Sequence, residues 1–217
     1  MPGSSPRWRT PTEGARYALE GSIFATGAAI QWLRDGLGII DAAAEAGPLA
    51  DSVPETGGVF FVPALVGLGA PWWDPYARGT IVGITRGTTR AHVVRAAVEA
   101  MAYQPRDVVD VMTASGGVAP TSLKVDGGGS AMDGLCQFQA DLLDVSVRRP
   151  VVQETTAMGA AFLAGLGAGV WSSKEEAASA WTFDREFVPG DSAEADRRYA
   201  GWRRAVERSL GWDREGG

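Results

Sequence analysis

Three consecutive glycines, Gly127 to Gly129, lie between a stretch typical of a strand and a stretch typical of a helix. Residues 122–125 predict the strand, and residues 135–143 predict the helix. Because glycine has no Cβ, the backbone N–H groups of such a turn are open to a ligand. The start of a helix also carries partial positive charge, so the turn suits a phosphate or the edge of a ribose. A plain tight turn explains the glycines equally well, and both interpretations stay open at this point.

A further glycine stands in the first turn of a predicted helix that runs to about residue 37. Gly27 follows Ser22 and Thr26, either of which is placed to cap this helix. A glycine inside a helix lowers the stability of the helix by roughly 1 kcal/mol relative to alanine, so the presence of glycine at position 27 requires an explanation. Either the helix packs closely on a neighbour here, or a ligand approaches the backbone. Gln31 follows four residues later on the same face, where its amide is able to hydrogen-bond a ribose or a base.

Several common catalytic and binding motifs are missing from the sequence. It has no GxxxxGK[ST] motif, which excludes a P-loop, and no GxGxxG motif after a strand. His92, the only histidine, is expected to be solvated, and no nucleophile elbow or metal-binding cluster accompanies it. Cys136 is the only cysteine, so an internal disulfide is impossible. A buried thiol in a reducing compartment is the simpler interpretation of Cys136.

The composition is that of a folded, acidic protein. Of its 217 residues, 45% are hydrophobic and 21% are charged, which is enough apolar material for a sizeable core. The net charge of −6 argues against a nucleic-acid surface, although backbone amides can still bind a nucleotide. No run of about 18 apolar residues indicates a membrane span, and the first residues lack the apolar core of a signal sequence. We therefore expect a cytoplasmic protein.

The alternation of predicted strands and helices indicates an α/β fold with a mixed or parallel sheet. Residues 1–14 are expected to form a loose leader, residues 15–213 a domain and residues 214–217 a tail. Further strands are predicted at residues 15–21, 59–64, 79–85 (buried), 144–148 (at a sheet edge) and 183–189. Further helices are predicted at residues 41–51 (broken at Gly47–Pro48), 88–112, 155–169, 172–181 and 191–208.

Prolines, tryptophans and small residues add three local expectations. Pro105 should kink or split the longest helix. The loop of residues 67–76 contains Trp72 and Trp73, which are better suited to covering a core than to stacking on a base. Alanines and glycines lie on every face of the predicted helix 155–169, which indicates tight contact with a neighbouring element.

A longer pattern runs from Gly79 to Glu99: Gly-x-Ile-x-Gly-Ile, then seven residues, then His-Val-x-x-Ala-Ala-Val-Glu. It resembles the second signature of the carbohydrate kinases with the FGGY-type signature, the family that includes glycerol kinases. Other stretches resemble glycerol kinases in particular: residues 17–21 (YALEG), 31–35 (QWLRD), 67–79 (GLGAPWWDPYARG) and 198–202 (RYAGW). The resemblance covers residues 15–213.

This resemblance implies the actin-like ATPase fold, which is ribonuclease H-like, in the second half of a two-domain kinase. It places ATP or ADP in the cleft between the halves, with Mg²⁺ bound to the nucleotide, and glycerol on the first half. It assigns Gly27 and Gln31 to the ribose and phosphate side of the nucleotide. Gly128 is assigned to the adenosine, with Gly127 and Gly129 as supporting residues of the turn.

Two departures from the family bear on activity. Met132 stands where glycerol kinases usually place an asparagine near the adenine, so a hydrogen-bonding amide is missing there. The family's first phosphate loop, carboxylate base and glycerol-binding residues precede the matching region, and Asp126 is better explained as a turn aspartate than as a base. We name no catalytic residue and no protein ligand for Mg²⁺ in this chain.

The chain is therefore expected to be a truncated, inactive nucleotide-binding half of a glycerol kinase, since phosphoryl transfer depends on a positioned acceptor, a metal ion and a base. Losing the other half would expose an apolar face, so we also expect self-association or a homo-oligomer. A non-catalytic nucleotide-binding or protein-interaction module derived from a sugar kinase is the alternative. A folded remnant without a ligand is a third interpretation.

Overall fold

The computed structural model describes residues 7–9, 16–116, 118–190 and 192–214. Their contacts form two compact units. The first unit lies within Met1–Pro120 and Ala193–Gly217, and the second is Thr121–Ser192. The sequence indicates one domain over residues 15–213 and gives no sign of this division, so the predicted domain boundaries stay a prediction.

The secondary structure alternates between strands and helices, as the sequence predicts. The strands of the described chain are β1 (Arg7–Arg9), β2 (Arg16–Ala18), β3 (Phe60–Val62), β4 (Thr80–Val82), β5 (Ser122–Lys124), β6 (Ser146–Pro150) and β7 (Phe183–Phe187). The α-helices are α1 (Gly27–Asp35), α2 (Ala46–Asp51), α3 (Arg90–Gly116), α4 (Asp133–Leu143), α5 (Thr155–Gly167), α6 (Lys174–Ser179) and α7 (Ser192–Ser209). Two 3₁₀ helices, Ala43–Glu45 and Gly128–Ala131, precede α2 and α4.

The first unit contains β1 to β4, α1 to α3 and nearly all of α7. β1 pairs with β2, and β3 pairs with β4, both antiparallel. β1 lies inside the predicted leader, and the expectation of a loose segment over residues 1–14 stays a prediction. The other residues of that leader that precede β2, 1–6 and 10–14, lie outside the described residues.

The core of the first unit forms around α3. Apolar residues recur along α3 at spacings of three, four or seven residues, which places them in a stripe on one face of the helix. Four members are buried: Val94, Val98, Met101 and Val108. Tyr103 of α3 stacks on Trp202 of α7, with ring centroids 5.3 Å apart and 17° between the ring planes. Burial of a large apolar side chain stabilises a fold by about 1.5–3 kcal/mol, so this packing holds α7 on α3.

The aromatic loop at residues 67–76 follows its prediction in part. Trp72 is half-buried and donates its indole N–H to Asp107 of α3 across 3.3 Å. This contact places Trp72 at the edge of the core, as a covering side chain. Trp73 is 45% exposed and meets Phe24 edge-on, with ring centroids 6.2 Å apart.

Pro48 was predicted to break a helix and Pro105 to kink or split one, and both lie inside continuous helices. Pro48 is the third residue of α2, where a backbone N–H has no acceptor within the helix, so its loss costs little. The expected break at Gly47–Pro48 was therefore wrong. Pro105 lies inside α3, which runs unsplit from Arg90 to Gly116, and the alternative expectation of a kink stays a prediction. Packing of α3 against α1, α2 and β3 offsets the roughly 3 kcal/mol that an interior proline costs.

β4 was predicted to be buried and is half-buried instead. Among the described residues it pairs with β3 alone, in a two-stranded ribbon that leaves its other edge open. Ile84, just beyond β4, is 62% exposed. An apolar run can therefore indicate a strand without indicating how many neighbours will cover it.

The second unit is a three-stranded mixed sheet in the order β5-β6-β7, with α4 packed against it. β5 and β6 are parallel, and β6 and β7 are antiparallel, which confirms the predicted α/β class and mixed sheet. Cys136 and Ala140 of α4 form a small core with Val147 and Phe187. The prediction of an edge strand at residues 144–148 was wrong, because β7 pairs with the second side of β6.

α5 is much more exposed than its small residues led us to expect. Gly165 is its only buried residue. An added Cβ there would lie 2.1 Å from the Trp171 ring, so the backbone of α5 closely approaches a neighbouring side chain at this position. Leu163 is 69% exposed, and four alanines are exposed as well: Ala157, Ala160, Ala161 and Ala164. Neither α5 nor another helix of the described chain has the length and apolar content to cross a membrane.

Candidate functional site

The glycine turn connects β5 to α4 through a sharp change of backbone direction. The N–H of Val125 donates to the carbonyl of Arg148 across 3.1 Å, so pairing with β6 continues one residue past β5. Gly127 then adopts a φ of 75° and a ψ of 176°, a conformation that residues with a Cβ rarely adopt. Gly128–Ala131 forms a 3₁₀ turn, and α4 begins at Asp133. The order of strand, glycine turn and helix is the one that the sequence predicts.

The outer side of this turn is open. A Cβ added at Gly127 or Gly128 would have no heavy atom of the described chain within 4 Å. Gly128 is exposed, and Gly127 and Gly129 are half-buried. Met132 is half-buried and ends the 3₁₀ turn in an extended conformation. Close packing does not explain the glycines at 127 and 128, and the assignment of all these residues to a nucleotide stays a prediction.

The inner side of the turn is held by hydrogen bonds within the second unit. Ser130 is buried, and its hydroxyl donates to the carbonyl of Gly127 across 2.7 Å. The thiol of Cys136 donates to the carbonyl of Ser130, with 3.3 Å between sulfur and oxygen. Burial raises the pKa of the Cys136 thiol to about 11, so the thiol keeps its proton and remains a donor near neutral pH. The prediction of a buried thiol is confirmed.

Arg149 of β6 also reaches the inner side of the turn, and only 9% of it is exposed. Its Nη1 donates to the carbonyls of Ser130 and Ala131 across 3.1 and 3.4 Å, and to Asp133 across 2.7 Å. Its Nε and Nη2 donate to one carboxylate oxygen of Asp184 across 3.0 and 2.7 Å. Burial acts to lower the pKa of Arg149, but the hydrogen bonds with Asp184 and Asp133 outweigh it and raise that pKa above its ordinary value.

The first turn of α4 already contains an anion. Asp133 is the first residue of α4, where the helix dipole favours negative charge, and it forms ion pairs with Arg149 and Arg185. The two guanidinium groups balance the charge of Asp133, so this carboxylate does not by itself exclude a phosphate, and the open turn remains available to a phosphate or to the edge of a ribose.

Asp126 has a structural partner. It is exposed after the end of β5, and its carboxylate accepts a hydrogen bond from the hydroxyl of Thr155, the first residue of α5. This bond ties the turn to the start of α5. The contact agrees with the interpretation of Asp126 as a turn aspartate rather than a catalytic base.

Gly27 and Gln31 lie on the exposed side of α1, whose buried residues are Ala29, Ile30 and Leu33. A Cβ at Gly27 would meet no heavy atom of the described chain within 4 Å, so close helix packing does not require this glycine. The structure thus places Gly27 and Gln31 one helical turn apart within the first unit. It joins the residues from Gly127 to Met132 in one turn of the second unit.

His92 has a capping role at the start of α3. Its Nδ1 accepts the backbone N–H of Thr89 across 3.1 Å and lies 2.8 Å from the Thr89 hydroxyl. The imidazole is half-buried, and the nearest ring atom would lie 3.2 Å from a Cβ added at Gly57, so the side chain is only partly solvated. No cluster of three or more His, Cys, Asp or Glu side chains that could hold a metal ion occurs in the part of the chain that the structure describes.

Sequence reasoning did not single out Arg149, although a signal was present. In β6, Arg149 lies two residues after the buried Val147 and therefore points to the same face of the sheet. A charge on the apolar face of a strand must find partners, because an unpaired buried charge is very costly. The partners themselves could not be predicted, since Ser130, Asp133 and Asp184 come from distant parts of the chain.

Known proteins resemble this chain over most of its length. Residues 4–168 match the C-terminal domain of the FGGY family of carbohydrate kinases. A glycerol kinase of Saccharolobus islandicus is 59% identical over 206 residues, which cover 94% of this chain and 41% of the relative. Glycerol kinase 2 of Thermotoga maritima is 62% identical over 199 residues, which cover 91% of this chain and 40% of the relative.

The fold also resembles that of a solved structure. The crystal structure of Plasmodium falciparum glycerol kinase with ADP matches with a TM-score of 0.82 and 35% sequence identity. The match covers 92% of this chain and 40% of that one. The chain thus spans about two fifths of the length of the relatives that it matches.

Proposed function

Because the chain belongs to the FGGY family of carbohydrate kinases, we propose that it forms the nucleotide-binding part of an ATP-dependent glycerol kinase. Its fold is the actin-like ATPase fold of that family, with a mixed sheet and flanking helices. The complete enzyme would transfer a phosphoryl group from ATP to glycerol and yield glycerol 3-phosphate and ADP. The observation that carries the proposal is the open glycine turn, in a chain 59% and 62% identical to two glycerol kinases.

The glycine turn is proposed to contact the adenosine of the nucleotide. Gly128 offers exposed backbone, Gly127 and Gly129 shape the turn, and Met132 lies at its end. Met132 would offer an apolar contact to the adenine, without the hydrogen bond of an amide.

Gly27 and Gln31 are proposed to line the ribose and phosphate side of the nucleotide. Both are exposed on one side of α1, so the amide of Gln31 and the bare backbone at Gly27 are accessible. No close packing of the described chain accounts for Gly27, which leaves a ligand as the better reason for a glycine there.

Phosphoryl transfer is proposed only for the complete kinase. The chain spans about two fifths of the length of its relatives, and the resemblance assigns the acceptor site, the catalytic carboxylate and the first phosphate loop to the remaining part. Mg²⁺ would be bound through the ATP phosphates, since the described residues offer no cluster of metal ligands. We expect this chain alone to bind ATP or ADP without phosphorylating glycerol. We place it in the cytoplasm, where Cys136 would stay reduced.

A second candidate function, a protein-interaction module, is favoured by the exposed apolar side of α5. Leu163 is 69% exposed there, and we propose that this surface promotes self-association. Sedimentation of the chain over a range of concentrations should show association that Leu163→Glu reduces. Val118→Glu, at a 78% exposed position of the first unit, should leave it unchanged. A chain that is monomeric at every concentration would contradict self-association.

Calorimetric titration with ADP and ATP tests nucleotide binding. Gly128→Val places a branched side chain on the outer side of the turn, and we expect it to weaken binding about tenfold or more, which is about 1.4 kcal/mol. Gly159→Val is the matched control, because Gly159 also lies in the second unit and a Cβ there has open space. Absence of binding by the unmodified chain, or equal binding by the Gly128→Val variant, would refute the proposal.

A further inference from the structure

A single guanidinium joins three parts of the second unit. Arg149 of β6 donates to two carbonyls of the glycine turn, to Asp133 at the start of α4 and to Asp184 of β7. The side chain is 10% exposed, and its planar fork allows it to serve several acceptors at once. The position of the turn relative to the sheet is therefore set by Arg149 as well as by the backbone connection.

The two carbonyl contacts fix the orientation of peptide groups in the turn. The carbonyls of Ser130 and Ala131 point toward Arg149, at 3.1 and 3.4 Å from its Nη1. In a trans peptide the N–H points away from the carbonyl, so the next two N–H groups point away from Arg149. One of them, the N–H of Met132, donates to the carbonyl of Gly129 across 3.1 Å and closes the 3₁₀ turn. Arg149 thus acts on the shape of the turn without reaching its open side.

We propose that Arg149 is a positioning residue for the nucleotide turn: it holds the residues from Gly127 to Met132 in the conformation that a nucleotide meets. This inference rests on the function proposed above. Loss of the guanidinium would leave the carbonyls of Ser130 and Ala131 without this donor, and Asp133 would keep Arg185 as its remaining ion-pair partner. The turn would then sample other conformations, and each nucleotide would have to reorder it on binding.

Asp184 provides the matched control for a merely structural role. Asp184→Asn removes the charge that pairs with Arg149 on the β7 side and leaves the contacts of Arg149 with the turn in place. Arg149→Met keeps most of the apolar stem and removes every donor. Arg149→Lys keeps the positive charge, but one ammonium group cannot reproduce the planar fork. The Arg149→Lys variant should therefore have a smaller defect than Arg149→Met, without reaching the behaviour of the unmodified chain.

Hydrogen exchange in the ligand-free chain distinguishes a positioning role of Arg149 from a merely structural one, and this measurement needs no nucleotide. Arg149→Met should speed exchange of the hydrogen-bonded amides of Gly127, Ser130 and Met132 about tenfold or more, with a smaller effect in Arg149→Lys and none in Asp184→Asn. The amides that pair β5 with β6 should stay protected in all three variants. Equal exchange in the turn of Arg149→Met and the unmodified chain would overturn the inference, and so would equal effects of Arg149→Met and Asp184→Asn.

Titration with ADP then links the turn to binding. Arg149→Met should weaken ADP binding about tenfold, whereas Asp184→Asn should change it less than about twofold. If Arg149→Met fails to fold, the comparison of Arg149→Lys with Asp184→Asn decides the question in the same two measurements. If the unmodified chain binds no ADP, the proposed function fails, and the exchange measurement still decides whether Arg149 positions the turn.

Discussion

Tyr199 of α7 donates its hydroxyl to the carboxylate of Asp107 on α3 across 2.5 Å. The same carboxylate accepts the indole N–H groups of Trp202 and Trp72 across 2.8 and 3.3 Å, although Asp107 is only 3% exposed. Burial raises the pKa of Asp107 against the opposing effect of these donors. Burial and the charge of Asp107 raise the pKa of Tyr199, so its hydroxyl keeps the proton that it donates. One acceptor thus joins α3, α7 and the aromatic loop.

Replacing this acceptor should destabilise the first unit. An amide at position 107 has one acceptor oxygen, and its NH₂ group would face donors. We expect Asp107→Asn to lower the free energy of unfolding by about 3 kcal/mol, measured by urea denaturation at neutral pH. Tyr199→Phe removes one donor and should cost about 1 kcal/mol. Asp51→Asn, at an exposed position of α2, should change little, and an Asp107→Asn variant as stable as the unmodified chain would contradict the role of this carboxylate.

The sequence predicted those features that depend on local spacing. The stripe of α3, the strand before the glycine turn and the helix after it each follow from residues close together in the chain. Features that depend on distant partners were not predicted. β6 is central rather than at an edge because Phe183–Phe187 pairs with it from more than thirty residues away. The exposure of α5 was missed because small residues permit close contact without providing a neighbour.

The candidate site shows the same limit. Its three consecutive glycines can be recognised from the sequence alone, because such a run indicates an unusual backbone conformation or a close approach of another group to the backbone. The groups that hold the turn from inside were harder to recognise, because Cys136 and Arg149 acquire their partners only when α4 packs on the sheet. The sequence therefore indicated the open side of the turn, whereas the arginine beneath it was not recognised.

The thiol of Cys136 predicts a specific dependence of stability on pH. Burial raises its pKa from 9.0 to about 11 in the folded chain, so the protonated thiol is favoured by folding. Its contribution to stability is fully present below pH 9.0 and is lost as the pH rises through about 11. The difference in unfolding free energy between the unmodified chain and Cys136→Ala should therefore shrink across this range. The tyrosines that also titrate in alkali are common to both proteins, so a constant difference would contradict the prediction.

Two adjacent glycines should respond differently to alanine. Gly127 has a φ of 75°, which strains any residue with a Cβ, whereas Gly128 lies in a 3₁₀ turn without a positive φ. We expect Gly127→Ala to cost about 2 kcal/mol in unfolding free energy and Gly128→Ala less than about 0.5 kcal/mol. Urea denaturation of the two variants measures this contrast. Equal costs would show that the conformation of Gly127 is not the one described.

Two glycines of α5 form a second pair for the same substitution. Gly159 has open space for a Cβ, so Gly159→Ala should stabilise the chain by about 0.5–1 kcal/mol through helix propensity. At Gly165 an added Cβ would lie 2.1 Å from the Trp171 ring, which also packs edge-on against Phe162 with ring centroids 5.3 Å apart. The ring must move, and we expect Gly165→Ala to cost about 1–3 kcal/mol.

A double-mutant cycle tests whether Trp171 causes that cost. In a Trp171→Leu background the large ring is absent, so Gly165→Ala should lose most of its penalty and show a coupling energy of about 1 kcal/mol or more in urea denaturation. Gly159→Ala should have the same effect in both backgrounds, because Gly159 has no contact with Trp171. If the penalty at Gly165 persists without the ring, the constraint lies in the backbone of α5, and the small residues of this helix serve a purpose other than packing on Trp171.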